Sequence, residues 1–360
     1  MKSDPILKGI IIVLLLAGFF ILASASIGIT ASQKLPAHYF LLRQLVTGGI
    51  AGLILFFMAG RIPYKRWRSF SLFIFILGLG LAAAVFLPQV GLEAGGAKRW
   101  LAFGPITFQP AEFLKFGFIL YLAAYFGSSG RRVNSLSGGL LPFLVAVGLV
   151  GILLIFQKDL GTLVVTAFSG LSLFWVAGGK FRHILISVLL GGIIFAALVY
   201  VEPYRLSRIS VFVNPDHEPQ GAGYQIKQAL IAIGSGGVFG RGFGMSRQKF
   251  QYLPEPMGDS IFAVAAEEFG FVGSLILIFM FLAFAWRGFY VSRHAPDTFG
   301  KLFSSGLVIL IVLPSLVNIA ALSGLLPLTG IPLIFVSQGG SALAMTLLEV
   351  GILLNISKTS

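Results

Sequence analysis

The most informative part of this sequence reads Gly-Tyr-Gln-Ile-Lys-Gln-Ala-Leu-Ile-Ala-Ile-Gly-Ser-Gly-Gly at residues 223–237 and Ser-Arg-Gln-Lys-Phe-Gln-Tyr-Leu-Pro-Glu-Pro-Met-Gly-Asp-Ser-Ile-Phe-Ala at residues 246–263. Both segments belong to a polar stretch from Glu202 to Glu268 that separates two blocks of hydrophobic segments. Asp259 lies where the polar stretch meets the next hydrophobic segment. An ionisable group in that position is costly unless it is hydrated or paired, so Asp259 is a candidate for chemistry at a membrane surface.

The composition excludes an ordinary soluble domain. Of the 360 residues, 57% are hydrophobic and only 11% are charged, and the apolar runs reach the roughly 20 residues that a helix needs to cross a bilayer. The chain has no cysteine, which excludes disulfides, thiolate catalysis and cysteine-ligated metal. A net charge of +13 fits a membrane protein near anionic lipid or an anionic substrate. Nucleic acid is disfavoured as a partner, because the basic residues are scattered through loops and form no stripe with aromatic residues.

Hydropathy predicts an all-α polytopic membrane protein, a single domain over residues 1–360 with ten transmembrane helices. We expect a large extracytoplasmic loop at 202–258, between the seventh and eighth helices. The predicted spans are about 9–30, 41–60, 70–87, 111–127, 138–156, 161–178, 183–200, 259–286, 303–323 and 336–355.

The distribution of lysine and arginine predicts that both termini are cytoplasmic. With the N-terminus inside, the inner segments hold fourteen of the 26 basic residues, and the outer segments apart from the long stretch hold six. This excess agrees with the positive-inside rule. The remaining six lie in the long stretch, on the predicted outer face, and need another explanation: Arg205, Arg208, Lys227, Arg241, Arg247 and Lys249.

Two outer segments contain more polar residues than a simple connection needs. In the first, which runs through residues 95–115, Pro110 is suited to the first turn of a helix, and Glu112 and Lys115 would share one helix face. In the second, residues 224–233 are typical of an interfacial helix. Residues 234–244, which include six glycines, predict a flexible segment rich in turns.

The acidic residues near the eighth span have two interpretations each. Partial burial would raise the pKa of Asp259 and make it a better proton acceptor near neutral pH, but aspartate before Ser-Ile-Phe-Ala is equally suited to cap a helix. Glu267 and Glu268 would lie about 12–14 Å deeper. There, structural pairing with basic groups is favoured over direct chemistry.

Several basic residues could bind phosphate from the outer side, and as a set that faces one compartment they favour an anionic ligand. For each residue alone, an interfacial anchor or ion-pair partner is the favoured interpretation. They are Arg99, Lys115, Lys158, Arg208, Arg247 and Lys249. Asp159, at the start of the sixth span, is a helix cap or a catalytic group. No phosphate-binding Gly-x-x-x-x-Gly-Lys-Ser/Thr motif occurs, and the four histidines are far apart in the sequence. ATP-driven transport and a histidine metal site are therefore disfavoured.

The motifs together resemble the SEDS family (shape, elongation, division and sporulation), whose members include FtsW, RodA and SpoVE, and the resemblance covers nearly the whole chain. The segment with Ser246–Phe250 before Tyr252–Pro256 is more similar to the cell-division member FtsW and its sporulation relative SpoVE than to the elongation member RodA, and FtsW is taken as the nearest branch. The residues that carry the resemblance are 96–100, 108–115, 159–162, 223–225, 232–237, 246–250, 252–256 with Asp259, 329–333, 337–341 and 351–355.

Three positions depart from the family pattern. Met257-Gly258 stand where the family often has His-Thr before the aspartate, and Lys158 stands where proline often precedes the Asp-x-Gly-Thr motif. In the last motif, Gln338 and Ala342 replace tyrosine and serine. These changes affect the surroundings of the site and leave Asp259 in place.

The resemblance implies a peptidoglycan glycosyltransferase that polymerises lipid II on the outer face of the bacterial cytoplasmic membrane during cell division. Asp259 would be the general base, undecaprenyl pyrophosphate the leaving group, and a class B penicillin-binding transpeptidase the partner, together with other division proteins. No cofactor is implied with certainty, although Mg²⁺ or Mn²⁺ could assist at the pyrophosphate. The expected substrate-binding residues are Arg99, Glu112, Lys115, Asp159, Arg208, Gln225, Arg247, Lys249, Glu268 and Ser337.

Three alternatives remain open at this point. The same cavity and basic lining would suit a lipid II flippase, for which the acidic residues Glu267, Glu268 and Glu349 would serve proton coupling. The chain would otherwise be an elongation-type polymerase of the RodA kind, or a non-catalytic scaffold that recruits the transpeptidase.

Overall fold

A computed structural model describes residues 3–94, 96–104, 106–215 and 221–359 of the chain. The fold is mainly helical. The first half contains seven long helices: α1 (Pro5–Ser32), α2 (Tyr39–Arg61), α3 (Tyr64–Ala84), α4 (Pro110–Ser129), α5 (Leu136–Phe156), α6 (Leu160–Val176) and α7 (Phe181–Val201). The second half contains α8 (Pro203–Val213), α9 (Ala222–Ser235), α10 (Ile261–His294), α11 (Thr298–Leu322) and α12 (Gly340–Ile356).

A helix coincides with each of the ten predicted spans. Seven of the described helices are long and apolar enough to cross a membrane, namely α1, α2, α3, α5, α7, α10 and α11, and α6 and α12 are shorter apolar helices. α4 carries the charged pair Glu112 and Lys115 and is largely buried among other helices. The chain is therefore a multi-pass helical membrane protein, and the crossing of all ten helices stays a prediction.

A small antiparallel sheet between α3 and α4 departs from the predicted all-α fold. Its strands are β1 (Gly91–Ala94), β2 (Ala97–Phe103) and β3 (Ile106–Phe108), in the order β1-β2-β3. Leu101 pairs with Gly91 on one side and with Phe108 on the other. Arg99 therefore lies on a strand, β2, and not in an irregular outer segment.

The two ends of the chain meet at one end of the helical bundle. The backbone N–H of Asp4 donates to the hydroxyl of Ser357 at 3.0 Å, and the carboxylate of Asp4 pairs with Arg287 of α10 at 2.6 Å. At the same end, the amide of Asn355 donates to the carbonyl of Gly60 at 2.8 Å. The helices thus return the chain to the end at which it begins, as an even number of crossings would.

Four connections meet at the opposite end of the bundle, together with the start of α12. They are the described parts of the sheet region 88–109, the turn 157–159, the stretch 202–260 and the segment 323–339. Segment 323–339 contacts most of the others. Ser337 donates to the carbonyl of Gly258 at 2.7 Å, and Ser341 of α12 accepts from the backbone of Gln109 at 3.1 Å.

α10 is broken at Gly270, which has φ +67 and ψ −164. The glycine-rich segment 236–245 lies against this break and bonds to the freed backbone groups. The segment is rich in turns, as predicted, and it is bonded to α10 on both sides of the break. Its flexibility stays a prediction. The nine residues Ile261–Phe269 form a short half-helix that begins just after Asp259.

Candidate active site

Asp259 lies in the turn that precedes α10 and is not its cap. The N-cap position belongs to Ser260, so the helix-cap interpretation of Asp259 is wrong. Among the described residues, the carboxylate accepts one hydrogen bond, at 3.3 Å from the side-chain amide of Gln225 on α9. The same amide donates to the hydroxyl of Ser260 at 3.0 Å. The carboxylate is only partly exposed and keeps oxygen lone pairs available for a proton.

The surroundings of Asp259 raise its pKa to about 6. Burial is the largest cause, because it penalises the charged form, and the negative charge of Glu255 adds to it. The hydrogen bond from Gln225 and the positive charge of Arg208 act in the opposite direction. A carboxyl group with this pKa is mainly ionised at neutral pH and is a stronger base than an ordinary aspartate.

Gly330 leaves open the space between Asp259 and Arg208. A Cβ atom at Gly330 would lie 3.8 Å from both terminal nitrogens of Arg208 and 3.8 Å from Oδ2 of Asp259. Gly330 has φ +70, a conformation that side chains other than glycine adopt at a cost. Arg208 is held in place by a hydrogen bond from Nη1 to the carbonyl of Leu328 at 3.1 Å. A carboxylate and a guanidinium therefore face the same small space.

Asn318 and Ser337 fix the backbone around Asp259. The amide of Asn318, on α11, donates to the carbonyl of Asp259 at 2.6 Å and to the carbonyl of Ile331 at 2.7 Å. Ser337 holds the carbonyl of Gly258, and the backbone N–H of Gln338 donates to the carbonyl of Met257 at 2.8 Å. The sequence predicted that Ser337 binds substrate, whereas here its hydroxyl holds the backbone. Asn318 was not among the predicted site residues, although a lone amide in an apolar span is a usable signal.

Arg99 and Asp159 form a separate cluster next to segment 323–339. Arg99 donates to the carbonyls of Gln157 and Lys158, and its Nε lies 4.0 Å from the carboxylate of Asp159. Asp159 caps α6 by accepting from the backbone N–H of Thr162 at 3.3 Å, which agrees with the cap interpretation. This turn lies near Asp259, because a Cβ at Gly161 would lie 2.5 Å from the carbonyl oxygen of Thr329.

Lys249 and Glu268 bind each other inside the protein. The ammonium of Lys249 lies 2.7 Å from the carboxylate of Glu268 and 2.8 Å from the hydroxyl of Ser24 on α1. Both charged side chains are fully enclosed. In this structure neither is available to a ligand, although both were expected to bind substrate. Their arrangement agrees with the favoured prediction of structural pairing.

Glu267 also has a structural role. Its carboxylate accepts from the hydroxyl of Ser246 at 2.5 Å and from the backbone N–H groups of Arg247 and Gln248 at 3.1 and 3.2 Å. Arg241 lies 3.6 Å away. The side chain of Arg247 itself is exposed. It is therefore accessible to a phosphate ligand, and that role stays a prediction.

Glu112, Lys115 and Glu349 form a further cluster of charged side chains within the bundle. Glu112 and Lys115 form an ion pair of 2.9 Å on one face of α4, as the spacing predicted, and Pro110 begins that helix. Glu349 of α12 interacts electrostatically with both residues. The structure therefore brings together Asp259, Gln225 and Arg208 directly, with Ser337 behind them, and divides the other predicted residues among separate clusters.

A divalent cation at this site remains a prediction. Throughout the part of the chain that the structure describes, no three histidine, aspartate or glutamate side chains converge on one point. Asp259 and Glu255 are the acidic residues nearest the candidate site, and they form a pair and not a metal-binding cluster. Because Mg²⁺ is often held by one or two carboxylates together with substrate phosphates, a cation at this pair would need further oxygen ligands from a bound pyrophosphate.

The fold and the site define a class of membrane protein with known structures. A peptidoglycan synthase complex that coordinates polymerization and crosslinking contains a chain similar to this one, with a TM-score of 0.82 and 27% identity over 99% of this chain and 98% of that one. The rod shape determining protein RodA of Thermus thermophilus is also similar, with a TM-score of 0.73 and 27% identity over 99% and 97% of the two chains.

Sequence relatives agree with this class. A family profile named for FtsW, RodA and SpoVE and described as "Cell cycle protein" matches residues 6–360. Stage V sporulation protein E of Bacillus subtilis is 38% identical over 100% of this chain and 98% of its own length. A probable peptidoglycan glycosyltransferase FtsW of Trichlorobacter lovleyi is 36% identical over 99% and 93%. The chain belongs to the FtsW/RodA/SpoVE family, as the SEDS resemblance predicted.

Proposed function

We propose that this protein is a peptidoglycan glycosyltransferase that polymerises lipid II during cell division, with Asp259 as the general base. Family members 35–36% identical to this chain over nearly its full length carry the name of that enzyme. The observation that carries the proposal is the state of Asp259, whose pKa is raised to about 6 and which faces Arg208 across Gly330.

In the proposed reaction, Asp259 takes the proton from the 4-hydroxyl of the acceptor's N-acetylglucosamine. The hydroxyl oxygen attacks the anomeric carbon of the donor's N-acetylmuramic acid and inverts its configuration. The bond from that carbon to the pyrophosphate oxygen breaks, and undecaprenyl pyrophosphate leaves with the electron pair. A positioned base contributes about 10²–10⁴-fold to such a rate.

Arg208 is the best placed cation for the leaving group. Charge develops on the pyrophosphate as the glycosidic bond breaks, and a fixed guanidinium stabilises that charge in the transition state. Arg208 is anchored by the carbonyl of Leu328 and shares the open space at Gly330 with Asp259. Arg247 and Arg99 extend the positive charge at this end of the bundle, whereas Lys249 is occupied by Glu268.

The layout of the bundle supports an outward-facing site. The two ends of the chain meet at one end, and Asp259 lies at the other, which is the end that the positive-inside rule assigns to the outer face. A class B penicillin-binding transpeptidase is the proposed partner, in line with the synthase complex that contains a similar chain.

The test is polymerisation of lipid II by purified protein in liposomes, compared with Asp259→Ala. Loss of glycan chains with an unchanged unfolding temperature would support the enzyme. Undiminished polymerisation would remove Asp259 from the mechanism. Transfer of labelled lipid II between leaflets without polymer would favour the flippase, and activity that requires added transpeptidase would indicate activation by that partner.

A further inference from the structure

The glycine-rich segment 236–245 fills the break in α10 by backbone hydrogen bonds on both sides of Gly270. The N–H groups of Arg241 and Gly242 donate to the carbonyls of Glu267 and Glu268, both at 3.0 Å. In the other direction, the N–H groups of Phe271 and Val272 donate to the carbonyls of Gly237 and Val238, at 2.9 and 3.1 Å. These four bonds replace helical bonds that the break removes. Non-helical backbone is tolerated inside a membrane protein only where its N–H and carbonyl groups find such partners.

The contact at the break is too close for side chains. A Cβ at Gly240 would lie 2.1 Å from the carbonyl oxygen of Glu268, and a Cβ at Gly270 would lie 2.3 Å from the backbone nitrogen of Gly240. Both glycines have positive φ, +81 and +67. The two backbones therefore touch directly at this point.

The depth of the segment follows from its contact with α1. The ring of Phe243 stacks on the ring of Phe20 with a centroid distance of 4.2 Å, and the ring of Phe269 lies 6.1 Å from Phe20. α1 runs from Pro5 to Ser32, so its length is about 42 Å and Phe20 lies within about 3 Å of its middle. A hydrocarbon core about 30 Å thick that is centred on α1 encloses Phe20 and its neighbours. This placement does not depend on which end of α1 faces outward.

Four apolar side chains of the segment are exposed. Phe239 is 82% exposed and Met245 is 64% exposed, and Val238 and Phe243 are exposed as well. They continue the exposed apolar face formed by Leu16 and Phe20 of α1 and by Phe271 and Ile276 of α10. An exposed apolar patch of this kind marks a surface that is covered by lipid or by another protein.

We propose that residues 236–245 form a re-entrant loop whose exposed side chains Val238, Phe239, Phe243 and Met245 contact the acyl chains of the bilayer. The loop passes from α9 into the hydrocarbon core, fills the break in α10 and returns to the surface at Asp259. Ten residues separate Asp259 from Phe269, a rise of about 15 Å if all are helical, or half the thickness of the core. The loop therefore supports the half-helix that holds Asp259 at the membrane surface.

The test uses single cysteines, since the chain has none of its own. A fluorophore on Phe239→Cys in liposomes is exposed to iodide in the water, or to lipids that carry a nitroxide near the middle of the acyl chain. Phe279→Cys on α10, at a position that is 62% exposed, is the lipid control, and Lys98→Cys on β2, also exposed, is the water control.

We expect the label at residue 239 to be quenched by the acyl-chain nitroxide as strongly as the label at 279, and to resist iodide as the label at 279 does. Quenching by iodide as at residue 98 would overturn the proposal, because the loop would then lie in water. Protection from both quenchers would also overturn it, since a second protein copy or a partner would then cover the segment.

A second pair of variants tests the contact with the break. Gly240→Ala, combined with Phe239→Cys, is expected to displace the loop and to make the label at least twice as sensitive to iodide. Gly234→Ala is the matched control, because a Cβ at Gly234 meets nothing within 4 Å, and it is expected to leave the quenching unchanged. If Gly240→Ala and Gly234→Ala changed the iodide quenching equally, the close contact with the break in α10 would not be what holds the loop in place.

Discussion

Asp259 and Glu268 are nine residues apart in the sequence, at the two ends of one half-helix, and their side chains have opposite surroundings. Glu268 is fully enclosed and pairs with Lys249, and it also accepts from Ser24 at 2.6 Å and from the backbone of Ser246 at 3.3 Å. Asp259 is partly exposed and accepts only the bond from Gln225 among the described residues. An enclosed carboxylate with three donors, one of them an ammonium, stabilises a structure. One with few partners and a raised pKa remains able to accept a proton.

The largest expected effect on activity is that of Asp259→Asn. The substitution keeps the size and the possible bond with Gln225 but removes the base, so the polymerisation rate should fall by about 10²–10⁴-fold. The unfolding temperature should stay nearly the same, because the side chain is only partly buried. A polymerisation assay in liposomes, run beside thermal unfolding, checks both. A rate within a few-fold of the parent protein would refute the role of Asp259.

The largest expected effect on stability is that of Glu268→Gln. It leaves the ammonium of Lys249 buried without its counter-charge, which costs about 3–5 kcal/mol. The unfolding temperature in detergent should fall, and the double variant Lys249→Met/Glu268→Gln should recover part of the loss. If Glu268→Gln instead abolished polymerisation at an unchanged unfolding temperature, Glu268 would act in the reaction as Asp259 does. The contrast between a structural and a reactive carboxylate would then be wrong.

The pH dependence of polymerisation should report the pKa of Asp259. The base must be ionised, so the rate should be high above pH 6 and fall about tenfold per unit below that value. Glu255→Gln removes a charge that raises this pKa, and the midpoint should move to lower pH. Arg208→Gln removes a charge that lowers it, and the midpoint should move to higher pH. A midpoint near 4 in the parent protein would contradict the raised pKa of Asp259.

A smaller effect is expected for Gly330→Ala. The φ of +70 makes alanine strained by about 1 kcal/mol or more, and the new methyl group enters the space between Asp259 and Arg208. The polymerisation rate should fall several-fold. Gly178→Ala is the matched control, since Gly178 has φ +92 and open space around it. Gly178→Ala should lose similar stability and keep the polymerisation rate. If both variants lost rate equally, backbone strain alone would explain the effect of Gly330→Ala.

Much of the fold follows from the sequence because hydrophobic length is a local property. The predicted spans coincide with helices, and the pair Glu112 and Lys115 could be predicted from a spacing of three on one helix. Asp259 was a candidate because polar and apolar segments meet there. Lys249 and Glu268 were identified as important, but their mutual contact depends on how segment 246–250 folds back against α1 and α10.

The features that could not be predicted from the sequence depend on contacts between distant parts of the chain. Asn318 matters because its amide spans the carbonyls of Asp259 and Ile331. A lone amide in an apolar span can be recognised in the sequence, but its two partners cannot. The break at Gly270 lies inside the predicted span 259–286, just after Glu267 and Glu268, where hydropathy predicts an unbroken helix. The sheet forms in a short segment, 91–108, between two spans, where length alone does not distinguish strands from an irregular connection.

The break at Gly270 also has an electrostatic consequence. A continuous α10 would carry one macrodipole over its 34 residues, with its negative end near His294. The break gives residues 261–269 a dipole of their own, whose positive end lies beside Asp259 and whose negative end lies at Glu267 and Glu268. The anion at the amino end is matched to the dipole, which contributes about 0.3–1 kcal/mol. The two carboxylates at the other end are not, and Arg241 and Lys249 balance their charge there.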